Sequence, residues 1–272
     1  MGGAEPSRQG VPRGGAPFAL WAALIFATAP ATGAPATAGC GATQGVDEHA
    51  RVIYVYDGDT VRLADGRDIR LIGLDTPEMN HDTGRPEPFA RDARRTLRRL
   101  LEASGPVGLR HGAERRDRYG RQLAHLYHRG DNAGMRLLEQ GLATLLVIPP
   151  NLAYLECYRA AERRARHARR GLWSLPRYQP LTASALPRGA RGYRVVSGPV
   201  TRIGRGRHST WIELAAGALA LRVAREDIEH FRGLEWQTLI GRRVEARGWV
   251  YRHRGEARMR LRHPAMWTVD SR

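Results

Sequence analysis

Apolar residues alternate with polar ones between residues 51 and 74 in three short runs: Val52-Ile53-Tyr54-Val55, Thr60-Val61-Arg62-Leu63 and Ile69-Arg70-Leu71-Ile72. A period of two is that of a strand with one face buried, and Asp65-Gly66 is hairpin chemistry, so the pattern predicts three antiparallel strands. The period then changes. Over residues 86–103, Phe89, Ala93, Leu97, Leu100 and Leu101 fall on one side of a helical wheel with arginines opposite, which predicts an amphipathic helix. Strand-like stretches at 107–110 and 122–127 follow, and then apolar helical spacing at 135–142 and 152–172.

Pro176, Pro180, Pro187, Gly189 and Gly192 interrupt any period, so 176–192 reads as a linker. Beyond it, 193–203, 210–214, 219–224, 243–251 and 257–261 have strand character and 226–231 helical character. Five strands and one small helix suggest a second, OB-like β-barrel domain. With 272 residues, the chain accommodates two compact domains behind a removable leader. The expected division is a leader at 1–38, a first domain at 39–175, a linker at 176–192 and a second domain at 193–272.

The leader is expected because Arg8 and Arg13 precede an apolar run at 18–29 that Pro30 closes. Such a run is short for a membrane span and has the form of a signal peptide, with Ala36-Thr37-Ala38 as a cleavage site. Export to the periplasm or medium is therefore expected. Lipid anchoring at Cys40 is the lesser alternative, since Thr37 and the distance from the apolar run suit it poorly. Only Cys40 and Cys157 are present. In an oxidising compartment they are expected to pair, the alternative being a buried thiol at Cys157 and an exposed or lipidated Cys40.

Net charge is +17, and all 44 basic residues other than histidine are arginine. Arginine codon bias in a GC-rich genome would explain the missing lysine but not the charge excess. The excess points to a polyanionic partner, DNA or RNA, and a monomer is expected. Residues 186–272 hold 18 arginines against 8 acids, so the second domain is expected to contribute. Arg258-Met259-Arg260-Leu261-Arg262 would place three arginines on one strand face. Arg205, Arg207 and His208 could extend that stripe, and an outward Trp249 or Tyr251 could stack a base. Arg159, Arg163, Arg164, Arg166, Arg169 and Arg170 are expected to form the solvated face of the last helix of the first domain.

Three stretches carry candidate chemistry: Asp57-Gly58-Asp59-Thr60, Arg70 through Asp75-Thr76-Pro77-Glu78, and Asp117-Arg118-Tyr119-Gly120-Arg121. Asp59 and Asp75 close neighbouring strand segments, so their carboxylates can converge on one hard, oxygen-seeking cation. Glu78 could orient or deprotonate a water. Arg70 and Arg121 could grip a phosphate and its pentacoordinate transition state. Each stretch has an ordinary reading as well: Asp57-Gly58 as a turn, Asp75 to Glu78 as a helix start, Asp117 to Gly120 as a hairpin. His81 and Asp82 could form a further metal site, or simply a solvated loop pair.

In this order and spacing, with Gln140-Gly141-Leu142-Ala143 and Gly171-Leu172-Trp173-Ser174 behind them, the stretches resemble the staphylococcal nuclease, or thermonuclease, family over roughly 52–174. The resemblance implies a mainly β fold with helices, an OB-type five-stranded barrel capped by three helices. It implies a calcium-dependent nuclease that leaves 3′-phosphate ends. Asp59, Asp75 and the Thr76 carbonyl would bind calcium, with Asp57 supporting them from behind. Glu78 would be the general base or water orienter, Arg70 and Arg121 the transition-state arginines, and Arg118 and Tyr119 the holders of a terminal nucleotide phosphate. Arg118 stands where the family has lysine, and Val147, Ile148 and Pro149 stand where it has base-holding tyrosines, which implies weaker base stacking. A preference for single strands is expected. The alternative is a binding module with a vestigial site.

Overall fold

The computed structural model describes residues 1, 45–80, 84–102 and 105–270. The expected leader, Cys40, His81 and Asp82 lie outside the described residues. In chain order the first half supplies β1 (Glu48–Ala50), β2 (Val52–Val55), β3 (Thr60–Leu63), β4 (Asp68–Leu71), β5 (Leu74–Asp75) and α1 (Ala90–Glu102). It continues with β6 (Val107–Arg116), β7 (Gln122–His128), β8 (Asp131–Asn132), α2 (Ala133–Glu139), β9 (Thr144–Leu145) and α3 (Leu155–His167). The second half supplies β10 (Leu181–Thr182), β11 (Gly192–Arg205), β12 (Ser209–Leu214), β13 (Leu219–Ala224), β14 (Arg243–His253), β15 (Glu256–Arg260) and β16 (Trp267–Val269).

The first sheet runs β1-β6-β7-β4-β3-β2, with β8 on β7. Every pairing in it is antiparallel except β4 with β7. Strand alternation drives the closure: Val61, Leu63, Ile69, Leu71, Leu109, Ala124 and Leu126 point inward and are buried. Ala93, Leu97 and Leu101 of α1, with Leu137 and Leu138 of α2 and Tyr158 and Ala161 of α3, complete that core. The fold is mainly β with capping helices, as the strand and helix periods predict.

In the second sheet β11, β12, β13, β15 and β14 form a ring, because β14 also pairs with β11. Its one parallel pairing within the ring joins β13 to β15. The third and last long strands are thus parallel in both halves, which gives them the same OB-type strand order. Val196, Ile212, Leu221, Val244 and Met259 fill the second barrel.

The 176–192 stretch is not a free linker. Tyr178 is buried, and Leu181–Thr182 pairs in parallel with β11. Its prolines stop helix and ladder formation, but Tyr178 packs with Trp173 and Tyr193 in a third apolar cluster that joins the barrels. Beyond residue 45 the described chain falls in one compact unit. Among the described residues no helix is long and apolar enough to cross a membrane.

Two expectations about arginines are corrected by the packing. Arg166 of α3 does not face solvent alone: it donates to Glu245 of the second barrel at 2.9 Å and lies over the Trp173 ring. The Arg258–Arg262 stripe is largely neutralised from within. Arg258 pairs with Glu256 and covers Trp211, while Arg260 pairs with Asp227 and Glu226. The alternation does hold for Met259 and Leu261, which are fully buried.

Candidate active site

Asp59 and Asp75 are brought together by two close backbone approaches. The Asp57–Thr60 loop rests on α1 and on Thr76, and a Cβ on Gly58 would lie 2.6 Å from the Ala93 Cβ and 2.7 Å from Thr76 Cγ2. No side chain fits there, so Gly58 is required by the close packing of the loop on α1 and Thr76. β5 pairs with β9 and carries Asp75 onto the same side of the barrel.

Asp59 is buried, and its carboxylate is well satisfied. Oδ2 accepts from the Thr76 amide at 2.8 Å and the Thr76 hydroxyl at 2.9 Å, and Oδ1 accepts from the Thr60 hydroxyl at 3.0 Å. Asp57 Oδ1 in turn accepts from the Asp59 amide at 2.9 Å, an Asx turn that fixes the loop. Arg70, on β4, reaches between the two carboxylates. Its Nη2 donates to Asp75 Oδ1 at 2.7 Å. Its Nη1 lies 2.5 Å from Asp59 Oδ2 as an ion pair without hydrogen-bond alignment.

One arginine faces several acids, and the electrostatics reflect this. Burial pushes the Asp75 carboxyl up to about 6, opposed by Arg70 and reinforced by Asp59. Asp57 is pushed upward by burial and then by the charge of Asp59. Glu78 sits exposed at the mouth, its amide donating to Glu87 Oε2 at 3.0 Å. Partial desolvation and then the Asp59 charge raise its carboxyl as well.

The second arginine comes from the turn between β6 and β7. Asp117 accepts from the amides of Tyr119 and Arg121 and from Arg121 Nε, at 2.9, 3.0 and 2.8 Å. This holds Arg121 so that Nη1 reaches the Thr60 hydroxyl at 3.4 Å, one residue from Asp59. Arg118 and Arg121 both lie against the exposed Tyr119 ring, at 4.7 and 5.5 Å from its centroid. The stretch is a hairpin turn, as its residue types suggest, and that turn presents both cations.

Asp57, Asp59, Arg70, Asp75, Thr76 and Glu78 gather at this opening, Arg121 stands beside Thr60, and Arg118 and Tyr119 lie next to Arg121. What the sequence reading missed is the far wall. Glu87, Arg177, Tyr178, Tyr193 and Trp249 line the same pocket as Asp75, Thr76 and Glu78. They come from a loop, the supposed linker and the second barrel, and no local spacing links them to the acids.

An OB-type barrel with an acid and arginine centre at one opening is the class that fold and site define. The sequence profile described as "Staphylococcal nuclease homologue" matches residues 68–175. The thermonuclease of Staphylococcus hyicus is 32% identical over 127 residues, covering 46% of this chain and 75% of that protein. The Staphylococcus intermedius thermonuclease is 32% identical over 122 residues, 44% of this chain and 72% of that one. Endonuclease YncB of Bacillus subtilis is 33% identical over 127 residues, 45% of this chain and 60% of its own length. The chain belongs to the staphylococcal nuclease family.

Proposed function

We propose that the protein is a nuclease that hydrolyses phosphodiester bonds of DNA or RNA, acts preferentially on single strands and leaves 3′-phosphates. The observation that carries this is the placement of Arg70 between Asp59 and Asp75, with Glu78 at the mouth and Arg121 tethered by Asp117 beside Thr60.

Glu78 takes a proton from water as the water oxygen attacks phosphorus. The bond from phosphorus to the 5′ oxygen breaks, its electron pair leaves with that oxygen, and the oxygen is then protonated. Arg70 and Arg121 meet the negative charge that grows on the phosphoryl oxygens. Partial desolvation and the Asp59 charge hold the Glu78 carboxyl above the ordinary glutamate value, which makes it a stronger base.

The donor set fits calcium in its chemistry, since Asp59, Asp75 and the Thr76 carbonyl offer only hard oxygens around a site with more acids than cations. Among the described residues no three acidic, histidine or cysteine side chains form a metal-binding group, so two carboxylates and a carbonyl would have to share the ion with water and substrate. When bound, calcium supplies positive charge to the phosphate. Export is part of the same reading, supported by the 1–38 leader pattern and by Cys157, which is disulfide-bonded.

The test is incubation of the mature protein with single-stranded DNA and RNA, with calcium and with chelator. Calcium-dependent shortening to 3′-phosphate ends is expected. Retarded but intact strands would make the protein a binding module, and 5′-phosphate ends would overturn the bond assignment.

A further inference from the structure

Trp249 is half exposed, at 49%, on a strand whose neighbouring residue Val250 is buried in the barrel core. It stands opposite Tyr193 in the β11–β14 register. Paired residues share a sheet face, and Tyr193 packs in the cluster that joins the two barrels. Trp249 therefore points from the second barrel toward the first, and its ring forms part of the pocket wall with Asp75, Pro77 and Glu78. A large π surface left in water beside a carboxylate centre does not serve core packing.

Arg177 stands next to it in the same pocket wall, and Arg194 stands next to Arg177. An ideal Cβ on Gly192 would lie 2.4 Å from Arg177 Nη2 and 3.9 Å from Arg194 Nη1, so the two guanidinium groups converge over that glycine. Arg177 lines the pocket and shares Glu87 at 3.5 Å. Arg194 donates to the Tyr193 carbonyl at 2.7 Å and has no carboxylate partner among the described residues. Two like charges held together, with a single carboxylate, Glu87, on Arg177 alone, form a place for an anion.

We propose that Trp249, Arg177 and Arg194 form a nucleotide subsite beside the Asp75–Glu78 centre, Trp249 stacking the base next to the scissile bond and the two arginines taking that nucleotide's phosphate. The second barrel thus supplies part of the substrate site through its seam with the first, not through the Arg258–Arg262 face. The inference rests on the nuclease reading above for the kind of ligand.

The experiment uses the full chain carrying Glu78→Gln and measures binding of a fluorescein-labelled hexathymidylate by anisotropy. Trp249→Ala is expected to weaken binding about tenfold, and Trp249→Phe, which keeps a π face, by only about two- to threefold. Arg194→Ala is expected to weaken binding and to lower the slope of log affinity against log salt by about 0.7, the value for one lost phosphate contact on a single strand. Undiminished binding by Trp249→Ala would overturn the subsite. A Phe variant as weak as the Ala variant would also overturn it, and would assign Trp249 to the hydrogen bond that its side chain makes to the Asp75 carboxylate. Cleavage by the otherwise unaltered protein is measured separately. Strand cutting with Trp249-independent binding sinks the subsite alone, and Trp249-dependent binding without cutting sinks the nuclease reading alone.

Discussion

Glu78 and Asp59 show how two carboxylates in one opening come to differ. Asp59 is buried and accepts three hydrogen bonds besides the Arg70 ion pair, whereas Glu78 is exposed and spends only its backbone amide on Glu87. Glu78→Gln and Arg121→Ala should each lower the hydrolysis rate about a hundredfold or more with unchanged melting temperature, because both act on the transition state. Asp59→Ala should behave differently. It leaves Arg70 and the Thr76 amide short of a partner inside the protein, so it should lose about 2–4 kcal/mol of stability along with its metal response. Parent-like cleavage by all three variants would refute the catalytic assignment. A titration away from the site is equally specific. His125 is buried, with Nδ1 3.0 Å from the Tyr158 hydroxyl, and burial followed by the Arg110 charge pushes its pKa down to about 3. Below its unfolded value near 6.5 the unfolded chain takes a proton that the folded chain refuses. Stability from this group is therefore complete above about 6.5 and falls as pH drops toward 3, by about 1.4 kcal/mol per pH unit. The difference between the urea unfolding free energies at pH 7 and 4.5 should shrink by about 3 kcal/mol in His125→Gln relative to the parent, and equal pH slopes would show that His125 is protonated in the native state.

Among the elements, the end of α2 and the end of α3 meet through two glycines that the sequence places thirty residues apart. Leu172 N donates to Gly141 O at 2.8 Å, and a Cβ on Gly171 (φ +52°) would lie 2.4 Å from that same oxygen. Gly171→Ala should therefore lower the melting temperature by roughly 5–15 °C, combining a left-handed backbone with a clash against main chain that cannot move aside. A parent-like melting curve would mean that the two turns separate at no cost. Cys157 lies on α3, and the mature protein should yield a Cys40–Cys157 cross-linked peptide in a non-reduced digest. Two free thiols, or an acylated Cys40, would exclude that pairing. At this scale the sequence was highly legible. Period-two runs marked β2, β3 and β4, and period-3.6 runs marked α1 and α3, because a buried face imposes those spacings directly. The short strands β5, β9 and β10 were not visible. Two residues have no period, and their pairing is set by partners dozens of positions away.

For the whole molecule, local reasoning failed at the seam between the barrels. Prolines and glycines at 176–192 do break helix and strand, but a broken period does not reveal whether the segment is solvated or packed, and here Tyr178 is packed. The same limit hid Trp249, legible as an outward aromatic on a barrel strand but not as a wall of the first barrel's pocket. The candidate site's acids and arginines were readable because they fall in short stretches, while its far wall depends on how two domains meet. That meeting is costly to undo. Glu162 of α3 is fully buried, accepts from the Leu145 amide at 2.7 Å, and finds its cation in Arg247 of the second barrel at 3.4 Å. Removing the second barrel would break that ion pair and expose Trp173 and Leu172 to water, at a cost of about 3–6 kcal/mol. Because natural domains are stable by only about 5–15 kcal/mol, the loss is comparable to the whole. The chain from residue 45 onward should thus melt in one calorimetric transition, and a chain ending at residue 175 should melt far lower or fail to fold. Arg247→Ala alone should destabilise the protein more than Arg247→Met combined with Glu162→Gln, since the pair of neutral residues leaves no buried charge. Two separate transitions in the full chain, with the truncated chain keeping the upper or lower one unchanged, would show that the barrels are independent and that the seam carries no stability.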